Sequence, residues 1–155
     1  TSNEVGFSRW IFNKHIIYIG GGNTAYMLEL WKNYNLINIF KNAYKKGIIL
    51  SGVSAGGVCW FDWILTDSLG SGYKPLKGIN LISGSCTPHS LEDNRMSQYQ
   101  SEIKKNKLPP GVAIDDGVAV LFVNGVAKEV CSTRENCDAY FVDKNNKISL
   151  KEYIK

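Results

Sequence analysis

Short apolar runs rich in β-branched residues alternate along this chain with stretches whose apolar residues recur every three or four positions. The first such run, His15-Ile16-Ile17-Tyr18-Ile19, reads as a buried parallel strand and ends in Gly20-Gly21-Gly22-Asn23-Thr24. Tyr26, Met27, Leu30 and Trp31 then keep helical spacing from Ala25 to about Tyr34, and a second helical pattern, Leu36 to Lys46, is closed by Gly47. Ile48-Ile49-Leu50 opens another strand, which turns through Gly52-Val53-Ser54-Ala55-Gly56 into an apolar segment. That segment, Val58 to Leu65, is expected to be a helix carrying Trp60, Phe61 and Trp63.

The second half is more polar between its runs. Gly70 to Gly78 reads as loop, and Asn80 to His89 leads into a second turn at Thr87-Pro88-His89. Asp93 to about Asn106 is a polar helix bearing Arg95, ended by Pro109-Pro110-Gly111. Val112-Ala113-Ile114 leads to Asp115-Asp116-Gly117, and Val118 to Val123 runs on as a buried strand. Asn124-Gly125 predicts a hairpin with Val126 to Val130. A last strand is expected near Ala139 to Val142. The Asp143-Lys144-Asn145-Asn146-Lys147 run lacks the glycine and terminal glutamate of a calcium loop and reads as a turn.

Composition narrows the class. With 155 residues, 44% hydrophobic and 21% charged, the chain has one domain's length and enough apolar surface for a core. Its net charge of +4 comes from scattered lysines, without the stripe that nucleic acid or a membrane surface requires. A small-molecule or peptide partner is expected instead. Cys59, Cys86, Cys131 and Cys137 lack CxxC spacing, and no apolar run has membrane length, so free thiols in a cytoplasm are the expectation.

The candidate chemistry centres on Gly52-Val53-Ser54-Ala55-Gly56. Strand, sharp turn and helix around Gly-x-Ser-x-Gly form a nucleophile elbow in outline, with the Ala55 amide placed to receive developing negative charge. A plain strand-to-helix connection is the bland alternative. The GGGNT loop is neither GxGxxG nor a P-loop, which argues against a nucleotide. It can serve as a structural turn, or bring a bare backbone N–H to a reacting carbonyl as second oxyanion donor. His89 is the only histidine besides His15, which lies at a strand's entry and reads as packed or surface. A histidine after a proline is commonly a solvated turn residue, yet His89 is the one plausible base for Ser54.

Four segments, YIGGGNTAYMLELWKN, GIILSGVSAGGVCWFDWILTDS, LISGSCTPHS and AIDDGVAVLF, together resemble the S51 peptidase family, the group of aspartyl dipeptidase (peptidase E) and cyanophycinase. The likeness is nearest to an uncharacterised bacterial branch with a SAG-CWF-TDS pattern. It implies an α/β fold of the class I glutamine amidotransferase-like (flavodoxin-like) kind: a three-layer α/β/α sandwich with a mainly parallel sheet and a C-terminal antiparallel hairpin. It also implies a single domain over 1–155. By resemblance Ser54 is the nucleophile, His89 the general base, and Asp67 or Asp116 the orienting acid. Ala55 and Gly22 match the oxyanion hole; Gly21, Asn23 and Arg95 match substrate-binding positions. Cofactor and metal are expected to be none.

The implied function is a cytoplasmic serine-type dipeptidase acting on short peptides through an acyl-enzyme. The alternative is an inactive remnant or binding subunit that keeps the fold, whereas a glutamine amidotransferase would want cysteine at the elbow. Two departures stand out. Pro88-His89-Ser90-Leu91 replaces the Pro-His-Tyr-Asp common in that branch, and the family's N-terminal strands and helices before His15 are missing. The first strand is therefore expected at an uncovered edge, to be met by that missing segment or by a second copy in a homodimer.

Overall fold

The computed structural model describes residues 2–154. Two compact units divide the chain, Thr1–Cys59 and Trp60–Lys155. The first runs α1 (Ser2–Phe12), β1 (Ile16–Ile19), α2 (Thr24–Asn33), α3 (Leu36–Lys45), β2 (Ile49–Gly52) and α4 (Ala55–Val58). β1 and β2 pair in parallel, Ile16 opposite Ile49 and Ile19 opposite Gly52. The alternation of a strand turns Ile17 inward and leaves Ile16, Tyr18 and Ile49 exposed. Asn23 starts α2 by accepting the Tyr26 amide at 2.9 Å on its side-chain oxygen. The amphipathic α3 buries Ile39, Phe40 and Ala43, with Phe40 against Trp31 of α2 at 4.6 Å between ring centroids. Gly47, at φ 82°, ends that helix in the left-handed conformation that glycine adopts without strain.

The second unit holds β3 (Phe61–Thr66), β4 (Lys74–Lys77), β5 (Ile82–Thr87), α5 (Arg95–Lys104) and β6 (Gly111–Ile114). It continues with β7 (Val118–Val123), β8 (Val126–Ser132), β9 (Ala139–Val142), β10 (Lys147–Ser149) and α6 (Leu150–Tyr153). Six strands form one sheet in the order β10-β9-β6-β5-β3-β4. Only β3, β5 and β6 run parallel to their shared neighbours; β4, β9 and β10 join antiparallel, so this sheet is mixed where a mainly parallel one was expected. Successive residues of β6 enter different cores: Ala113 packs with Leu65, Tyr99, Ile103 and Val142, and Val112 with Ala139 and Leu150. β7 and β8 form a separate antiparallel pair joined at Asn124-Gly125, both at positive φ; β7 is not the buried strand expected, since alternate residues, Leu121 and Val123 among them, are exposed. Its Phe122 meets Phe61 edge-on at 5.4 Å. Among the described residues no helix is long and apolar enough to cross a membrane.

Two local expectations are corrected. The helix that starts after the elbow stops at Val58, and Phe61–Thr66 is strand β3, not helix. Its apolar residues satisfy both periods over so short a run, and pairing decides between them: the Trp60 carbonyl already accepts the amides of Leu81 and Ile82 at 2.8 and 3.0 Å. The Gly70–Gly78 loop contains β4, paired with β3. Pro75 fits there because β4 is an edge strand, whose outer side needs no donor, and Lys74 and Lys77 blunt that edge.

β5 and β6 approach more closely than side chains allow. A Cβ at Gly111 would lie 1.9 Å from the Ser85 carbonyl oxygen. Gly111→Ala is therefore expected to cost about 3 kcal/mol or more, or to prevent folding. Urea melts against the unmodified chain measure it, and a cost below ~1 kcal/mol would refute the close approach.

Candidate active site

In the first unit everything of chemical interest follows the carboxyl ends of β1 and β2, the end of an α/β sheet where ligands bind. The amide of Val53 donates to the Ile19 carbonyl at 3.1 Å, and the chain then reverses into α4. Ser54 sits at φ 51°, ψ −119°, outside the regions that an L-residue occupies without strain. Its neighbours explain how that conformation is enforced. A Cβ on Gly52 would lie 2.3 Å from the Gly56 carbonyl oxygen, and one on Gly56 would lie 2.2 Å from that of Ile19. Both glycines of Gly-x-Ser-x-Gly are thus required by backbone-to-backbone contact, not merely tolerated. Ser54 does not cap α4 with its side chain; its carbonyl accepts the amides of Gly57 and Val58 at 2.9 and 3.0 Å. Ala55 is the first residue of α4, so its N–H has no acceptor within that helix.

The glycine loop lies beside this turn. A Cβ built on Gly21 would come within 3.4 Å of Ser54 Cβ and 4.0 Å of its Oγ, and Gly22 takes φ 147°. Asn23, expected to bind substrate, caps α2 with its side-chain oxygen. Cys59 is also near the elbow, but it is fully buried, its thiol donates to the Gly56 carbonyl, and burial pushes the thiol far up from its ordinary range. Burial thus favours the neutral thiol over the thiolate.

In the second unit the candidates follow the carboxyl ends of three adjacent parallel strands. Asp67 comes after β3, His89 after β5 and Asp116 after β6, so His89 stands on the middle strand between two acids. His89 Nδ1 bonds Asp116 Oδ1 at 2.5 Å. Asp67 is drawn elsewhere: its carboxylate pairs with Arg95 Nη2 at 3.4 Å. Both side chains of the His89–Asp116 pair keep contact with solvent, 30% and 44% exposed.

Arg95, expected at the substrate, is buried and committed to structure. Nη1 bonds Glu92 at 2.9 Å and the Pro88 carbonyl at 3.3 Å, and the guanidinium stacks on Tyr73 at 4.4 Å. Sequence reasoning passed over Ser90 and Asp115. Ser90 is buried and its hydroxyl donates to Asp115, itself 3% exposed. Their adjacency to His89 and Asp116 was the available signal. His15 is exposed at the entry of β1, remote along that strand from the glycine loop. Among the described residues no cluster of three His, Cys, Asp or Glu could hold a metal ion.

A serine held at positive φ between a strand and a helix has the backbone form that a nucleophile elbow requires, in a mixed α/β protein. Comparison with known proteins names the group: residues 4–130 match Peptidase family S51, and the chain belongs to that family. It is 38% identical over 134 residues to a protein of Bacillus subtilis (strain 168) described as uncharacterized peptidase YgaJ. That match covers 86% of this chain and 58% of the relative, so the chain spans little more than half of the relative's length.

The strain at residue 54 is directly measurable. Ser54→Gly and Ser54→Ala both lose the hydroxyl, but only glycine relaxes at φ 51°. The glycine variant is expected to be more stable than the alanine variant by about 1–3 kcal/mol in urea melts. Equal stabilities would remove the strained elbow.

Proposed function

We propose that this chain is a serine-type peptidase that hydrolyses short peptides, with Ser54 as nucleophile, His89 as general base and Asp116 as the acid that orients it. His89 takes the hydroxyl proton as Ser54 attacks the scissile carbonyl. The tetrahedral oxyanion is received by the Ala55 amide, with a donor from the glycine loop at Gly22. Collapse passes the proton to the leaving amine and leaves an acyl-enzyme, which water, activated by the same imidazole, hydrolyses. The observation that carries this reading is the enforced conformation of Ser54, which expends stability where a plain connection would relax.

Family membership and the His89–Asp116 bond support the rest. Of the two acids, Asp116 is preferred because Asp67 is engaged by Arg95. A dipeptide-sized substrate, the three-layer class I glutamine amidotransferase-like sandwich and a cytoplasmic setting belong to the same reading. The last is supported by the absence of disulfides among the described residues, where all four cysteines are free.

A fluorophosphonate probe tests the nucleophile: covalent labelling is expected at Ser54 and lost in Ser54→Ala. An intact, folded protein that refuses the probe and every dipeptide offered sinks the proposal. Asp116→Asn is expected to lower turnover by on the order of 10⁴. Asp67→Asn, which removes a largely exposed partner of Arg95, should stay within about tenfold of the unmodified chain. The reverse ranking would transfer the orienting role to Asp67.

A further inference from the structure

The Pro88 turn and the Asp115-Asp116 turn are joined twice, by consecutive residues on each side. His89 bonds Asp116 at 2.5 Å, and next to it Ser90 bonds Asp115. The two bonds face opposite ways. His89 and Asp116 keep 30% and 44% side-chain exposure, whereas Ser90 and Asp115 are 4% and 3% exposed as residues. We propose that Ser90 and Asp115 are positioning residues, and that their buried bond holds His89 in the conformation in which its Nδ1 meets Asp116.

Three observations carry this. His89 occupies φ 51°, a conformation that a non-glycine residue keeps only when its surroundings impose it. The exposed His89–Asp116 bond is poorly suited to impose it, since solvent screens such a pair and side-chain entropy opposes it. The buried bond is well suited, because each end is fixed independently. The Ser90 amide donates to the Ile114 carbonyl at 3.1 Å, so the backbone beneath the hydroxyl is tied to β6. Asp115 accepts the Asp138 amide at 2.9 Å on Oδ2 and donates its own amide to the Asp138 carbonyl at 3.1 Å, leaving Oδ1 for Ser90. Asp138 is in turn anchored by the Ser149 hydroxyl at 2.6 Å and by Lys151 Nζ at 3.6 Å. A hydrogen bond to a carboxylate in a buried setting is among the stronger kinds. The approach to His89 is secured by Arg95 on the Pro88 carbonyl and its exit by the Glu92 amide on the His89 carbonyl at 3.0 Å. Ser90 is thus the tether that links the imidazole's turn to the acid's turn through side chains.

The catalytic consequence rests on the serine-peptidase reading, but the geometric one does not, and the test separates them. Full-length chain labelled with 15N-histidine is prepared unmodified and as Ser90→Ala, Ser90→Thr, Asp115→Asn and, for assignment, His89→Gln. Long-range 1H–15N spectra, at a pH where the ring is neutral, report which ring nitrogen carries the proton, and a carboxylate accepting at Nδ1 keeps the proton there. The unmodified chain and Ser90→Thr are expected to hold His89 as the Nδ1–H tautomer. Ser90→Ala and Asp115→Asn should shift it towards the Nε2–H tautomer while keeping the far-ultraviolet circular dichroism of the unmodified chain. In parallel, fluorophosphonate labelling of Ser54 should slow about 10²-fold in Ser90→Ala, as misplacement of a catalytic group does, and recover in Ser90→Thr.

A folded Ser90→Ala protein that keeps the Nδ1–H tautomer overturns the proposal. So does an unmodified chain without that tautomer. Should Ser90→Ala fail to fold, Asp115→Asn decides by the same criterion. If the unmodified chain is never labelled, the peptidase reading falls and the tautomer measurement still decides the positioning role.

Discussion

The structure around Ser54 depends on one steric constraint: the backbone of the elbow runs so close to itself and to the end of β1 that no Cβ fits at residue 52 or 56. With Gly52 and Gly56 pressed against carbonyl groups at 2.3 and 2.2 Å from where a Cβ would be, the turn has no room to open. Residue 54 must then take a φ of 51° that a serine would otherwise avoid. The same contact sets the height of the glycine loop, since the carbonyl that Gly56 abuts belongs to Ile19, the last residue before Gly20-Gly21-Gly22. Ser54 and the loop are therefore positioned by one contact, and Gly21 lies against Ser54 as its result.

In the second unit the corresponding device is electrostatic. Two acids flank the strand that leads to His89, and a buried guanidinium distinguishes them. Arg95 draws Asp67 and Glu92 to itself and stacks on Tyr73, while its Nη1 also holds the Pro88 carbonyl. The carboxylates offset the cost of burying that charge, Glu92 at 2.9 Å being the nearer and Asp67 at 3.4 Å the more exposed. The outcome frees Asp116 for His89 and makes Asp67 part of the scaffold of the histidine's turn. Asp115 and Asp116 show how far the turn after β6 separates neighbours: one side chain is buried among hydrogen-bond donors, the other meets the imidazole with solvent beside it.

Several elements were legible from pattern because local physics alone decides them. The Gly47 stop, the Asn124-Gly125 turn and the polar helix before Pro109 depend on conformational freedom, turn chemistry and a missing N–H, which travel with the residue. The segment after the elbow was not legible in that way. Phe61-Asp62-Trp63-Ile64-Leu65-Thr66 carries apolar residues on both faces, and over so short a run they satisfy the helical and the strand period alike. Lys74-Pro75-Leu76-Lys77 looked like loop because proline and two lysines lower strand propensity, yet an edge position removes the objection to all three.

For the site the division is similar. The sequence by itself determined the nucleophile's setting, since Gly-x-Ser-x-Gly between a strand and a helix states its steric demands in consecutive residues, and it determined His89 as the candidate base by the scarcity of histidine. It left two acids open and set Arg95 and Asn23 beside the substrate. Only the tertiary structure decided which partners the acids and Arg95 have, because each pairing joins residues distant in the chain: Arg95 with Asp67, 28 positions earlier; Asp116 with His89, 27 positions earlier; Ser90 with Asp115, 25 positions later. Charges and hydroxyls can be counted in a sequence, but their partners are assigned by which strands lie side by side, and that order is a property of the whole sheet.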